Sequence, residues 1–236
     1  MLIDMHAHTS AISPCCLIPA PQVLEEAKAA GLDGIVLTNH YDKSYVENGD
    51  AAAFARRYLD EFEYARACGE EAGMRVIFGI EVTMAKYSKV HMLVYGVDEE
   101  FLMAHPDLYD CTQEELYALV REHGGAMVQA HPFRGGDCLL DTKYMDGVEI
   151  NCHPLYNESR WEDLVKIADD SRIIVTCGGD YHADTYRPRC GTNLPDSIAD
   201  TKDLARHLLE TDSIVLQVHE PNTEETFDLK YDRKTV

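Results

Sequence analysis

An aspartate and two histidines alternate at the start of the chain, in the segment LIDMHAH. In an extended strand every second side chain points to the same face, so Asp4, His6 and His8 would lie side by side. Burying neighbouring imidazoles costs desolvation and returns little packing energy. Metal ligation is one use that offsets this cost, because imidazole and carboxylate are common metal ligands. The segment therefore predicts a metal site at the end of the first strand.

Further ionisable residues follow other apolar segments of the chain. His40 ends GIVLTNH, Glu81 lies in RVIFGIEV and His131 ends AMVQAH, while Asp180 and His182 end RIIVTCGGDYH. Each of these residues taken singly is also compatible with an ordinary role in a turn, a cap or an ion pair. Their recurrence after one apolar segment after another favours a single shared site.

Strand-like and helix-like segments alternate along most of the chain, and this alternation would position the site. Helices are predicted after Pro21, over about 50–72, after Thr112, over about 158–170 and over about 201–210. The alternation is typical of a mainly parallel, buried sheet, in a barrel or a doubly wound fold. The carboxyl ends of parallel strands share one edge, so we expect the ionisable residues to converge there. KVHMLVYGV is expected to return as a hairpin. Residues 1–236 are expected to form one domain, the last 35 or so being a helix plus edge strands.

The composition narrows the possible function classes. Asp and Glu number 42 against 21 Lys and Arg, so the formal net charge is −21 and binding of long nucleic acids is disfavoured. No apolar run approaches the roughly 18 residues of a membrane span, and no secretory signal is recognisable, so we expect a cytoplasmic protein without a membrane partner. The eight cysteines include no CxxC pair and are expected to be reduced, mostly buried thiols.

Histidine and carboxylate ligands without paired cysteines suit Zn²⁺, Mn²⁺ or Fe rather than Ca²⁺. Carboxylates can bridge two ions roughly 3.5–4 Å apart, the spacing that activates a water between them. This arrangement is typical of hydrolases.

Five motifs in this order, DMHAH, TNH, GIE, AHP and GGDYH, resemble those of the PHP (polymerase and histidinol phosphatase) superfamily. The resemblance covers about residues 2–195. It implies a distorted (β/α)7 TIM-like barrel, two or three divalent metal ions and hydrolysis of phosphate esters.

The resemblance also implies roles for individual residues. A first metal would be held by His6, His8, Glu81 and Asp180. Glu81 would bridge to a second metal at His91 and His131, and a third would be held by His40 and His182. We expect Asp180, His40 and His182 to take part in catalysis as well.

Two departures from the family pattern concern ligands. Ser13 and Pro14 stand where relatives commonly have a further Asp or His ligand to the third metal, with Cys15 and Cys16 just beyond. A cysteine could substitute there, or the third site could be weak or empty. The other departure is His91, which opens its predicted strand instead of closing it.

The substrate should be a small phosphomonoester, such as a sugar, amino-alcohol or nucleotide monophosphate. Candidate phosphate-binding residues are Arg134, Arg187 and Arg189, although a surface role is also open for each. A nuclease of short oligonucleotides and a non-catalytic metal-binding PHP module are the alternatives.

The remaining predictions concern the segment EINCHP, four other histidines and the C-terminal segment. In EINCHP, His153 could line the pocket, or Asn151 or Cys152 could point inward. The other histidines are expected to be ordinary polar positions, namely His105, His123, His207 and His219. The alternating C-terminal segment could pair at a sheet edge or with a second copy, so the oligomeric state stays open.

Overall fold

The structure is a computed structural model that describes residues 1–134, 139–156, 158–183, 185–187 and 189–234. Its helices are α1 (Ala20–Ala29), α2 (Ala51–Ala72), α3 (Glu99–Ala104), α4 (Gln113–Glu122), α5 (Trp161–Ser171) and α6 (Thr201–Glu210). Its strands are β1 (Leu2–Ala7), β2 (Gly34–Leu37), β3 (His40–Tyr41), β4 (Arg75–Thr83), β5 (His91–Tyr95), β6 (Ala126–Gln129), β7 (Gly147–Asn151), β8 (Ile174–Gly178), β9 (Gly191–Asn193), β10 (Ser213–His219) and β11 (Thr226–Asp232).

The strands join in one mixed sheet that curls almost into a barrel. From β1 the barrel order is β2, β4, β5, β6, β7 and β8. All neighbours along this path are parallel except β5, which runs antiparallel to both β4 and β6. A parallel bridge between Ala7 and Tyr181 brings the end of β8 back to β1. The expected distorted TIM-like barrel is therefore confirmed, with seven strands around it.

Helix ends follow the local signals in the sequence. The Asp50 side chain accepts a hydrogen bond from Ala53 N–H at the start of α2, and Gly73 ends that helix with a left-handed φ of 68°. Thr112 and Glu115 form a capping box at the start of α4. These caps form hydrogen bonds with backbone groups that have no partner within the helix at its ends.

The C-terminal segment pairs within the same chain. β11 runs antiparallel to β10, β10 to β9, and β9 to the first residues of β1. Tyr231 of β11 is buried and its hydroxyl donates to the Ile173 carbonyl at 2.7 Å. The hairpin thus extends the barrel sheet from the edge of β1. Within the described ranges, no helix is both long and apolar enough to cross a membrane.

Candidate metal centre

Eight residues converge where the barrel strands end. Six of them are buried and two are partly exposed. The buried ones are His6, His8, His40, Glu81, His131 and Asp180, and the partly exposed ones are His91 and His182.

The position of His91 follows from the direction of its strand. β5 is antiparallel to its neighbours, so its first residue lies at the edge where the parallel strands finish. His91 stands opposite Thr83, two residues along β4 from Glu81 and on the same face. His40 in β3 stands directly opposite Glu81. The predicted hairpin is confirmed, and it explains how a histidine that opens a strand reaches the site.

Glu81 lies at the middle of the cluster, with five imidazoles around its two oxygens. The distances to Oε1 are 2.8 Å from His91 Nδ1, 3.0 Å from His131 Nε2 and 3.3 Å from His6 Nε2. The distances to Oε2 are 2.5 Å from His40 Nδ1 and 3.5 Å from His8 Nε2. Such a carboxylate is positioned to serve more than one metal ion at once.

Asp180 supplies a second carboxylate to the same cluster. Its Oδ1 lies 3.1 Å from His8 Nε2 and 3.4 Å from His6 Nε2. Both Asp180 and His131 have left-handed backbones, with φ of 49° and 31°. The left-handed region is strained for residues other than glycine, and such strained positions are common at functional sites.

Hydrogen bonds behind His6 and His8 determine which ring nitrogen faces the cluster. His6 Nδ1 lies 2.8 Å from Glu149 Oε1, and an ionised carboxylate only accepts, so His6 donates there. Ser13 Oγ donates its single hydrogen to Asn39 Oδ1 at 3.0 Å, so it must accept from His8 Nδ1 at 3.1 Å. These bonds hold a proton on each Nδ1, so Nε2 is the nitrogen of each ring that would face a metal ion.

Sequence reasoning did not identify Glu149 as part of the site. Besides holding His6, it accepts hydrogen bonds from His131 N–H at 3.0 Å and from Asn151 Nδ2 at 3.0 Å, and it is fully buried. Asn151 and His153 continue the same face of the chain beyond it. The alternation of these three polar residues through an otherwise apolar strand was the signal that could have found it.

The donor set fits divalent metal ions. His6 Nε2, His40 Nδ1, Glu81 Oε2 and His131 Nδ1 are buried and make no aligned hydrogen bond to any described residue. Donor atoms within 4.8 Å of one another form three groups: His6, His8 and Glu81; His40, Glu81 and His91; and His8, His40 and His182. Buried polar atoms that face one another without hydrogen-bond alignment need another partner, and a metal ion supplies it.

Charges inside the cluster depend on one another. Burial would raise the pKa of Glu81, but His40, His91 and His6 outweigh it and hold this pKa well below its usual value. Burial would lower the pKa of His6, but Glu149, Glu81 and Asp180 raise it well above the ordinary value. For His8, burial and the nearby His182 and His40 lower the pKa. Protons on some of the imidazoles therefore balance the buried carboxylates when metal is absent.

Neither protein-family models nor curated proteins give a match to the chain. Solved structures do. A protein from Bifidobacterium adolescentis, provisionally named a metal-dependent phosphoesterase, has a TM-score of 0.57 at 18% identity, covering 88% of this chain and 95% of its own. PsfC from Pseudomonas syringae has a TM-score of 0.63 at 23% identity, covering 86% and 87%. A two-domain protein from Bacteroides vulgatus, containing a predicted PHP-like metal-dependent phosphoesterase, has a TM-score of 0.60 at 16% identity, covering 100% and 87%.

The chain shares the distorted barrel fold of these structures. At these identities the likeness concerns the fold alone, and it agrees with the fold that the five sequence motifs imply.

One of the three candidate arginines lies at the candidate metal centre of this barrel. Arg134 Nη1 is 3.4 Å from Asp180 Oδ2 and 3.3 Å from His131 Nε2. Arg187 pairs instead with Glu26, and Arg189 with Glu224, with each guanidinium about half exposed. Only Arg134 of the three therefore contacts the predicted ligands.

A cleft of about 280 Å³ opens beside the candidate metal centre of the barrel. His131, Arg134 and Asn151 are among its lining residues, so Asn151 does face inward. His153 is also buried nearby, with its ring centroid 6.0 Å from that of His182, and burial lowers its pKa to about 4. Cys152 lies elsewhere, in the core behind the strand.

The structure gives different roles to Ser13, Cys15 and Cys16, which lie where the sequence departs from the PHP pattern. Ser13 orients His8, as described above, and Cys16 is buried with its thiol 3.5 Å from the Ile18 carbonyl. Burial would raise the pKa of the Cys15 thiol, but hydrogen bonds with His182 and His40 lower it to about 6. Cys15 is thus the cysteine that contacts the expected third-metal ligands.

Proposed function

We propose that this chain is a metal-dependent phosphoesterase that hydrolyses a small phosphomonoester. The observation that carries the proposal is the buried Glu81 carboxylate, whose two oxygens face five imidazole nitrogens within 3.5 Å. Two solved structures of the same fold carry metal-dependent phosphoesterase in their names. We propose that the described barrel and hairpin act as one domain.

The proposed ligand sets follow the geometry and the family pattern. His6, His8, Glu81 and Asp180 would hold a first ion, and Glu81 would share a second with His91 and His131. Zinc, manganese and iron suit these donors. When bound, the ions supply Lewis acidity and lower the pKa of a water between them.

His40 and His182 would hold a third ion, and Cys15 stands where it could complete that site. If this position holds no ion, His182 has another use. Burial would lower its pKa, but Asp180 raises it above the ordinary value. His182 Nδ1 lies 2.7 Å from the Asp180 carbonyl, which fixes that proton and directs Nε2 elsewhere. A second proton, held on Nε2, could then be donated to the leaving oxygen of the substrate.

Arg134 would bind the phosphoryl oxygens. Its guanidinium is about one-third exposed and lines the cleft, so a substrate can reach it. A phosphate dianion would compete with Asp180 for this cation, and the metal ions would compensate Asp180. The size of the cleft suits a sugar, amino-alcohol or nucleotide monophosphate.

Metal analysis tests the centre directly, on protein purified without chelator or added metal. Counting only ions bound through imidazole and carboxylate, a ratio of three per chain would support a full trinuclear centre, and a ratio of two would leave His40 and His182 free to act on the substrate. A ratio near zero that persists after incubation with Mn²⁺ or Zn²⁺ would contradict the proposal.

Replacing Glu81 by Gln tests the reaction. Since a neutral amide bridges metals poorly, we expect Glu81→Gln to lose metal affinity and phosphomonoester hydrolysis by more than about 100-fold. Glu63→Gln is the matched control, because Glu63 is exposed and pairs with Arg66 in its own helix. Unchanged hydrolysis in Glu81→Gln, with contaminating phosphatase excluded, would favour the non-catalytic module instead.

A further inference from the structure

Three cysteines from distant parts of the chain meet in the core, away from the face of β7 that carries Glu149. Cys152 follows β7, Cys177 lies in β8 and Cys190 directly precedes β9. Each is exposed by 2% or less. Their sulfur atoms all lie within 4.8 Å of one another, and Cys152 Sγ is 3.6 Å from Cys177 Sγ.

These separations suit thiolates that share one metal ion. A disulfide requires sulfur atoms about 2.05 Å apart, much closer than the 3.6 Å of the Cys152–Cys177 pair. In a tetrahedral zinc site with Zn–S distances of about 2.3 Å, the sulfurs stand about 3.8 Å apart. The three side chains therefore need little movement to become three corners of such a tetrahedron.

His219 of β10 lies beside the three cysteines. Burial would raise the pKa of the Cys152 thiol, but Cys177, Cys190 and His219 lower it well below its usual value. The ring of His219 stands outside the group of sulfur atoms that lie within 4.8 Å of one another. The ring Nε2 lies 2.9 Å from the Thr223 carbonyl, which only accepts, so the ring proton is on Nε2. Nδ1 is consequently the unprotonated nitrogen, and it is buried without a hydrogen-bond partner among the described residues.

Three thiols and a nearby imidazole nitrogen are the donors of a common structural zinc site, which His219 would complete by a movement of its ring toward the sulfur atoms. A ligating histidine commonly donates its other N–H to a backbone carbonyl, as His219 does. Four protein ligands with no open position are typical of structural rather than catalytic zinc sites.

We propose that Cys152, Cys177 and Cys190, with His219 as the fourth ligand, bind one Zn²⁺ ion separate from the histidine and carboxylate centre. The ion would connect β7, β8 and the start of β9 to β10, and so join the barrel to its C-terminal hairpin. In the metal-free form Cys177 Sγ lies 3.4 Å from the Gln217 carbonyl and donates to it, so binding displaces that thiol proton.

Cobalt substitution tests the proposal, because thiolate ligands give Co²⁺ an intense near-ultraviolet charge-transfer absorption that imidazole and carboxylate ligands do not. The experiment uses full-length Cys15→Ser protein, which removes the thiol nearest the other metal centre. We expect the absorption at saturation to correspond to one thiolate-bound Co²⁺ per chain, beside the Co²⁺ that the histidine and carboxylate centre takes up. Adding Cys190→Ser should abolish the absorption, whereas adding Cys68→Ser, a cysteine of α2 outside this cluster, should leave it unchanged.

His219→Ala isolates the fourth ligand. We expect it to weaken Zn²⁺ binding at the thiolate site by about 10- to 100-fold while the three-thiolate absorption persists in a shifted form. Unchanged affinity would overturn the assignment of His219.

If Cys190→Ser does not fold, X-ray absorption at the zinc edge tests sulfur ligation without that variant. The zinc-loaded Cys15→Ser protein should show sulfur neighbours at about 2.3 Å. A spectrum without sulfur neighbours would overturn the proposal, as would a Cys152–Cys177 disulfide as the stable state in protein purified under reducing conditions.

Discussion

A single buried carboxylate organises the chemistry at the residue scale. Glu81 is fully buried, and an isolated charge in such a position would cost several kcal/mol or would take up a proton. Five imidazoles remove that cost by surrounding it. Their own orientation depends on residues one layer further out, Glu149 and Ser13, so the centre is organised before any ion binds.

Arg134→Ala should weaken substrate binding without removing the metals. Charged hydrogen bonds contribute about 1.5–3 kcal/mol, so we expect KM for a phosphomonoester to rise about 10- to 100-fold. Arg134→Lys should raise KM less than Arg134→Ala does, because lysine retains the positive charge but cannot bind bidentately. Steady-state kinetics with parallel metal analysis would measure this effect.

Arg187→Ala and Arg189→Ala serve as comparisons for Arg134→Ala. Both side chains pair with surface carboxylates, and we expect unchanged kinetics for each. An unchanged KM in Arg134→Ala would remove this residue from the proposed substrate site.

Metal binding should release protons. The pKa of His6 is raised well above its ordinary value, and Glu81, despite the opposing effect of burial, raises that of His40 to about 10. Both rings therefore hold protons at pH 7 in the metal-free protein, and an ion must displace roughly two of them. Metal affinity should fall as the pH is lowered. Above about pH 10 His40 has already lost its extra proton, so metal binding should release no proton from it. Calorimetry in buffers of different ionisation enthalpy measures the number released, and no buffer dependence would contradict this expectation.

Strand direction and strand spacing position the ligands at the element scale. The antiparallel β5 brings His91 to the edge where parallel strands deliver their final residues. β8 and β1 approach closely at Gly178, where a Cβ would stand 2.5 Å from Glu149 Oε1 and 2.6 Å from His6 Cβ. A small residue is therefore required there to let His6 and Glu149 meet.

Gly178→Ala should disturb the centre through this contact. The added methyl group must displace Glu149 or His6, so we expect metal affinity to fall about 10- to 100-fold. Gly147→Ala is a matched control in the neighbouring strand. Its Cβ would meet the side chain and carbonyl of Ile174, so it should lower the melting temperature while the folded protein binds metal normally. Equal metal affinities in the two variants would show that the Gly178 contact does not position the ligands.

Net charge is the dominant property at the scale of the whole molecule. A formal charge of −21 repels polyanions over a Debye length of about 10 Å at 0.1 M salt. The proposed small phosphomonoester would carry fewer charges, and bound metal ions together with Arg134 would reverse the field locally in the cleft.

Salt dependence should therefore distinguish a phosphatase from a nuclease. We expect a mononucleotide to be hydrolysed with a higher kcat/KM than a short oligonucleotide at low salt. Adding salt should raise kcat/KM for the oligonucleotide, because it screens the repulsion. A decrease with salt, together with a preference for the oligonucleotide, would indicate a basic binding groove and favour the nuclease.

Much of the fold and the centre could be predicted from the sequence, because both rest on local signals. Alternating strand and helix patterns indicated a parallel sheet, and the positions of ionisable residues near the strand ends predicted which side chains would converge, including His6, His8, His131 and Asp180. Helix limits were predictable where caps such as Thr112 and Gly73 mark them. These inferences succeed because periodicity and capping are properties of neighbouring residues.

Long-range register decided the rest. Glu149 contacts His6 from 143 residues away, and Cys152, Cys177 and Cys190 meet although no short spacing links them. The same register directs Arg187 and Arg189 to surface carboxylates. The sequence by itself determined which chemical groups the barrel edge would offer. Only the tertiary structure decided which of them touch, because a one-residue shift between strands would direct each side chain to the opposite face.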